Sequence, residues 1–176
     1  MNLWHDIEAG SAEKLNVIIE IPKGSHNKYE IDKDTGLIKL DRANYNGAPY
    51  PCEYGFIPQT LAEDGDAVDV LLLATYPLPP GTWVEMRPIA LMEMTDDGEP
   101  DNKIIGVPVN DRRWDDVQDL RDLNQHTQRE LKLFFETIKQ LKAKPAIVAI
   151  HGFKDKAAAQ AEFGRGIDLY RQKFSK

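Results

Sequence analysis

Trp83-Val84-Glu85-Met86-Arg87-Pro88-Ile89-Ala90-Leu91-Met92-Glu93-Met94 is the stretch on which the architecture turns. Apolar and polar residues alternate along it imperfectly, a pattern that fits a long strand in a curved sheet better than a helix. On its N-terminal side, residues 15–21 are apolar and β-branched, end at Pro22 and read as a buried strand that carries an acid, Glu20, inside it. Residues 28–41 read as a hairpin, with Tyr29, Ile31, Leu37 and Leu40 flanking the turn residues Asp34, Thr35 and Gly36. Residues 68–76 and 102–109 supply two more strands. Beyond them the period changes. Residues 127–141 place Leu131, Phe134, Phe135, Ile138 and Leu141 on one helical face, with Thr127 and Glu130 as a capping box. A strand at 146–150 and a second helix from Asp155 towards Phe174 follow, the latter weakened by Gly164 and Gly166. Short strands followed by helices predict an α+β fold, a small closed or nearly closed barrel with the helices packed outside.

At 176 residues the chain is expected to form one domain around one core. Hydrophobic residues at 41% and charged residues at 29% are globular proportions, and 11 prolines and 12 glycines fit many turns. A net charge of -7 argues against a nucleic-acid partner, which needs a concentrated excess of Lys and Arg, and suits a cation binder. Cys52 is the only cysteine, so no intrachain disulfide is possible and a reducing cytoplasm is the default location. The segment Met1 to Glu8 carries acids where a signal peptide needs basic and then apolar residues, and no apolar run reaches membrane-spanning length.

The strongest chemical signal is Asp64-Gly65-Asp66-Ala67-Val68-Asp69, three carboxylates at the entrance of an apolar strand. Like charges so close raise one another's pKa unless a cation compensates, and oxygen donors in this number are what Mg²⁺ or Ca²⁺ takes. An ordinary acidic turn uses the same residue types. A second acidic group, Asp96-Asp97-Gly98-Glu99-Pro100-Asp101, lies between two predicted strands and runs into Lys103. Alone it reads as a solvated loop; beside the first group it can complete a site for several metals. No Glu closes a twelve-residue loop beginning at Asp64, so the pattern is not an EF-hand. Lys28, Arg42, Tyr50, Tyr54 and Lys103 fall at predicted strand ends, and the histidines show no zinc spacing.

Taken in order, Ile19-Glu20-Ile21-Pro22, Asn27-Lys28-Tyr29-Glu30, Leu40-Asp41-Arg42, Tyr50-Pro51-Cys52-Glu53-Tyr54-Gly55 and the Asp64 to Asp69 run resemble the family I inorganic pyrophosphatases. Tyr76-Pro77, Arg87-Pro88, Met94-Thr95-Asp96, Asp101-Asn102-Lys103 and Phe134-Phe135-Glu136 extend the resemblance over nearly the whole chain. It implies a five-stranded OB-like β-barrel with two α-helices from the C-terminal half packed outside, an active site at the barrel mouth, and a cytoplasmic homohexamer. By the same resemblance Asp64, Asp69 and Asp101 hold tightly bound Mg²⁺ (Mn²⁺ as the alternative), and Asp69 bridges two ions. Asp96 joins Asp101 at a metal delivered with substrate, Glu30 serves the last ion near the leaving phosphate, and Glu20 supports the metal shell through water. Lys28, Arg42, Tyr54, Lys103 and Lys139 contact phosphate oxygens, with Tyr50 supporting.

The chemistry suits these residue types on its own terms. Pyrophosphate is a polyanion, so water attacks its phosphorus only after metals, Lys and Arg neutralise the phosphoryl oxygens. Asp66, two residues after Asp64 and not needed as a ligand, is placed to accept the water's proton as general base. Two departures stand out. Ala67 replaces a residue that is usually Pro or Glu in the family, at about 0.4 to 1 kcal/mol of loop entropy if Pro is the reference. Ile138 stands where the resemblance implies a Tyr before Lys139, removing one phosphate-contacting hydroxyl worth roughly 1.5 to 3 kcal/mol. The alternative reading is a catalytically weakened metal- and phosphate-binding protein. An OB-type nucleic-acid binder needs a basic groove that this charge does not provide, and no Walker-type loop is present for nucleotide phosphates.

Overall fold

The structure is a computed structural model that describes residues 1–174. In chain order its strands are β1 (Gly10–Ser11), β2 (Lys14–Ile21), β3 (Asn27–Ile31), β4 (Ile38–Ala43), β5 (Glu53–Phe56), β6 (Asp69–Leu72), β7 (Trp83–Asp96), β8 (Glu99–Pro100), β9 (Lys103–Pro108) and β10 (Val148–Lys154). Helix α1 (Gln125–Thr137) precedes β10, and α2 (Lys156–Phe174) follows it. Strands β2, β5, β6, β9 and β7 pair in that order, and β7 pairs back onto β2, so five strands close into a ring. The pairings are antiparallel except β6 with β9, which run parallel. The expected α+β arrangement, five strands and two outer helices, is what the chain forms.

Strand β7 closes the ring because its 14 residues can serve several neighbours. Its first part pairs with β2, its middle with β9, and its last part with β10. The register against β9 shifts between Pro88 and Ala90. Pro88 has no N–H for a ladder, so a bulge there is the economical solution, and it breaks the strict alternation of the sequence. Ile89 and Ala90 are both fully buried as a result.

Each helix covers one part of the ring. Helix α1 sets Leu131, Phe134 and Phe135 into a cluster with Met92, Met94 and Ile105. Helix α2 sets Ala159 and Phe163 against Leu15, Val17, Val70 and Leu72. Each buried Phe or Leu contributes about 1.5 to 3 kcal/mol. The expected capping box at Thr127 and Glu130 is not the helix start. Asn124, a stronger cap than Thr, accepts the His126 N–H at 2.7 Å, and Thr127 lies inside the helix. At the other end α1 stops at Thr137, so Leu141 is 70% exposed and off the apolar face.

Gly166 in α2 is required rather than merely tolerated. A Cβ there would meet Val68 Cγ2 at 2.5 Å, and the Gly166 carbonyl accepts the Leu61 N–H at 2.9 Å. One residue earlier, the Arg165 guanidinium donates to Glu63 at 3.2 Å while also gripping Glu162. The last helix therefore holds the 61–69 segment from behind.

Glu53 on β5 has no solvent exposure, and neither carboxylate oxygen has a hydrogen-bond partner in good geometry. Burial pushes its pKa up, eased by nearby backbone N–H groups including those of Ala74 and Lys23. A carboxyl group with a raised folded-state pKa favours the fold most below its ordinary range, and that benefit is lost as pH rises. Glu53→Gln is therefore expected to stabilise the fold by about 1 kcal/mol at pH 7, with the gain fading towards about pH 4. Urea unfolding at the two pH values checks this.

Candidate active site

A cavity of about 640 Å³ opens at the mouth of the ring, and every candidate site residue named above lies on its wall. Its floor comes from the parallel pair. Register sets Asp69 on β6 opposite Lys103 on β9, and the Lys103 ammonium, only 2% exposed, donates to Asp69 at 2.5 Å and also pairs with Asp101. From the neighbouring β5, the Tyr54 hydroxyl donates to the same Asp69 oxygen at 2.5 Å. Tyr50 packs edge-on against Tyr54 with ring centroids 6.0 Å apart.

The loop before β6 brings in the other acids. Asp64 accepts the Asp66 N–H at 3.0 Å across Gly65, whose φ of +90° a side chain would resist. On the far side, Asp96 at the end of β7 pairs with Lys139 beyond α1, and its other oxygen, Oδ1, is buried without a partner. A tight turn separates Asp96 from Asp101: Asp97 and Gly98 have φ of +51° and +87°, as a two-residue hairpin demands. The β3–β4 hairpin forms the remaining wall. Lys28 donates to Glu30 at 3.0 Å and to Asp41 at 3.2 Å, and Arg42 pairs with Asp41. Glu20, 6% exposed within β2, accepts the Ile31 N–H at 2.6 Å and ties this hairpin to the ring.

Burial dominates the electrostatics. It pushes Glu20 up to about 8, with Asp69 adding to the shift, and raises Tyr50 to about 12. Burial also raises Asp64 and Asp101; at Asp101 the Lys103 ammonium pulls back and Asp69 pushes further. Lys103 is shifted the other way: burial alone would discharge it, but Asp69 and Asp101 outweigh that and hold its pKa above the usual lysine value. Among the described residues no three acids, histidines or thiols converge on one point. What converges is pairs of acids on an ammonium, and Asp96, one of whose oxygens is buried without a partner, lines the same cavity. A donor set made only of carboxylates, already gathered on a positive charge, fits a hard divalent cation.

Several wall residues escaped the sequence reading, among them Lys33, Trp4 and Tyr45. Lys33, at the hairpin turn, pairs with Asp66, and Trp4 and Tyr45 line the same cavity, Tyr45 with the Arg42 guanidinium 5.0 Å from its ring centroid. A lysine between Asp32 and Asp34 reads as a solvated turn charge, and only the folded hairpin brings it to Asp66. Ile138 is 8% exposed, packs into the cluster of Phe134 and Phe135, and also lines the cavity.

Carboxylates interleaved with ammonium and guanidinium groups at the mouth of a closed β-ring define a class of site that can hold a small polyanion together with divalent cations. The inorganic pyrophosphatase family model matches residues 17–171. The inorganic pyrophosphatase of Haloferax volcanii is 44% identical over 177 residues, covering 99% of each chain, and that of Thermus thermophilus is 47% identical over 160 residues, covering 90% of this chain and 91% of its own. The crystal structure of the Thermus thermophilus inorganic pyrophosphatase superposes with a TM-score of 0.93 at 45% identity, covering 97% of this chain and 99% of that one. The chain belongs to the inorganic pyrophosphatase family. Among the described residues no helix is long and apolar enough to cross a membrane.

Proposed function

We propose that the chain, acting as one domain, hydrolyses inorganic pyrophosphate to two orthophosphates with Mg²⁺ as cofactor, Mn²⁺ being the other cation that its oxygen donors admit. The observation that carries the reading is the buried Lys103 ammonium held between Asp69 and Asp101, in a cavity shared with Asp64 and Asp66, in a member of this family. Asp64, Asp69, Asp101, Asp96 and Glu30 would hold Mg²⁺, which neutralises phosphoryl charge and lowers the pKa of water from 15.7 towards roughly 7.

The chain's own residues do the rest. Asp66 takes the proton of the attacking water, since its carboxylate stands half exposed at the cavity wall. Lys28, Arg42, Tyr54, Lys103 and Lys139 turn towards phosphate oxygens and offset the charge that develops on the leaving group. Glu20 fixes the hairpin that carries Lys28 and Glu30, and Tyr50 backs Tyr54. Among the described residues of the cavity wall none is Ser, Thr, Cys or His, which favours direct attack by water over a covalent intermediate on one of those side chains. A cytoplasmic location and a homo-oligomer, hexameric by resemblance, belong to the same proposal.

Phosphate release from pyrophosphate should be fast with millimolar Mg²⁺, absent in EDTA and far slower with ATP. No release by folded protein in Mg²⁺ would sink the reading in favour of the second one, a weakened binding protein, for which the buried Ile138 is the specific observation. Ile138→Tyr is expected to return a hydroxyl to the cavity and raise kcat/KM about tenfold; unchanged kinetics would show that no contact is missing there.

A further inference from the structure

We infer that Lys33, supported by the N-terminal turn, is the positioning residue that aims Asp66 at the attacking water; this rests on the hydrolytic reading above. Lys33 stands at the turn of the β3–β4 hairpin and crosses the cavity to meet the 64–69 loop. Its ammonium makes an ion pair with Asp66 Oδ1 and reaches the Gly65 carbonyl at 3.5 Å. The same ammonium lies 6.0 Å from the centroid of the Trp4 ring, within the range of a cation–π attraction.

The support behind it is built, not incidental. Trp4 is 4% exposed, and its indole N–H donates to the Thr60 carbonyl at 2.9 Å, fixing the ring against the segment that leads into the acid loop. Asn2 sends its side-chain amide to the Lys33 carbonyl at 3.4 Å, and its backbone lies so close to Gly36 that a Cβ there would meet Asn2 Cα at 2.7 Å. The hairpin turn is thereby docked on the N-terminal turn, which lies outside the matched span of residues 17–171.

The consequence is directional. Asp66 has no other side-chain partner among the described residues, and its backbone N–H is already committed to Asp64. Held at one oxygen by Lys33, the carboxylate keeps the other free in a fixed orientation, as a general base requires. Without the ammonium the carboxylate swings, and a misplaced base costs turnover more than binding.

The test compares Lys33→Met and Lys33→Arg in the full chain. Lys33→Met is expected to lower kcat at least tenfold with KM for pyrophosphate within about twofold and an unchanged melting temperature, and Lys33→Arg to restore most of kcat. Unchanged kcat in Lys33→Met overturns the inference. So does a rise in KM alone, which would make Lys33 a phosphate contact, or a joint loss of kcat and melting temperature that Lys33→Arg does not repair. A readout independent of activity is mass-spectrometric labelling of Lys33 with an amine-reactive reagent, with Lys39 as internal reference. Asp66→Asn should increase Lys33 labelling, and equal labelling defeats the contact itself. Wild-type protein without pyrophosphate hydrolysis but with this labelling difference condemns the hydrolytic reading instead.

Discussion

Asp66→Ala is expected to slow pyrophosphate hydrolysis by about 10²- to 10⁴-fold, the usual contribution of a positioned general base. Fold and metal affinity should survive, because Asp66 is exposed at the cavity wall and its side chain supports only the Lys33 pair, worth little to stability at such an exposed site. Steady-state kinetics with saturating Mg²⁺ make the measurement. A loss of less than tenfold would mean that another carboxylate, Glu20 or Asp101, takes the proton.

The second large effect concerns stability. Lys103→Met would leave Asp69 and Asp101 facing one another without their ammonium, and breaking a buried ion pair by removing one partner costs about 3 to 5 kcal/mol. For a chain of this size that is roughly 10 °C of melting temperature in EDTA. Added Mg²⁺ should recover a larger share in the variant than in wild type, because a cation then meets two otherwise repelling acids. Identical melts in EDTA would show that the two carboxylates relax apart or take up a proton.

Much of this was legible in the sequence, for identifiable reasons. Residues 14–21 and 83–96 form strands because their apolar, β-branched stretches are long enough to show a period, and the β3–β4 hairpin announces itself through Asp34-Thr35-Gly36. Five of the site's acids, Asp64, Asp66, Asp69, Asp96 and Asp101, lie in two short acidic runs, whereas Glu20 and Glu30 sit inside strands β2 and β3. Strand β5 is different: four residues of mixed polarity inside a motif, with Gly55 there because a Cβ would meet the Ile18 carbonyl at 2.1 Å. That close approach is a fact of pairing between distant segments. The same holds for the parallel register that sets Asp69 beside Lys103 and for the reach of Lys33 to Asp66. Sequence gives residue types and local period, whereas these depend on which strands become neighbours.

The grip of α2 on the acid loop, through the Gly166 carbonyl and Arg165, bears on how the protein is born. Synthesis at about 5 to 20 residues per second separates Asp69 from Gly166 by roughly 5 to 20 seconds. Throughout that interval the nascent chain already displays its acids but lacks the helix that braces them. Closing so long a loop is also entropically slow compared with forming the local β3–β4 hairpin. The acid loop is thereby braced only after all five ring strands, residues 14–108, have been made.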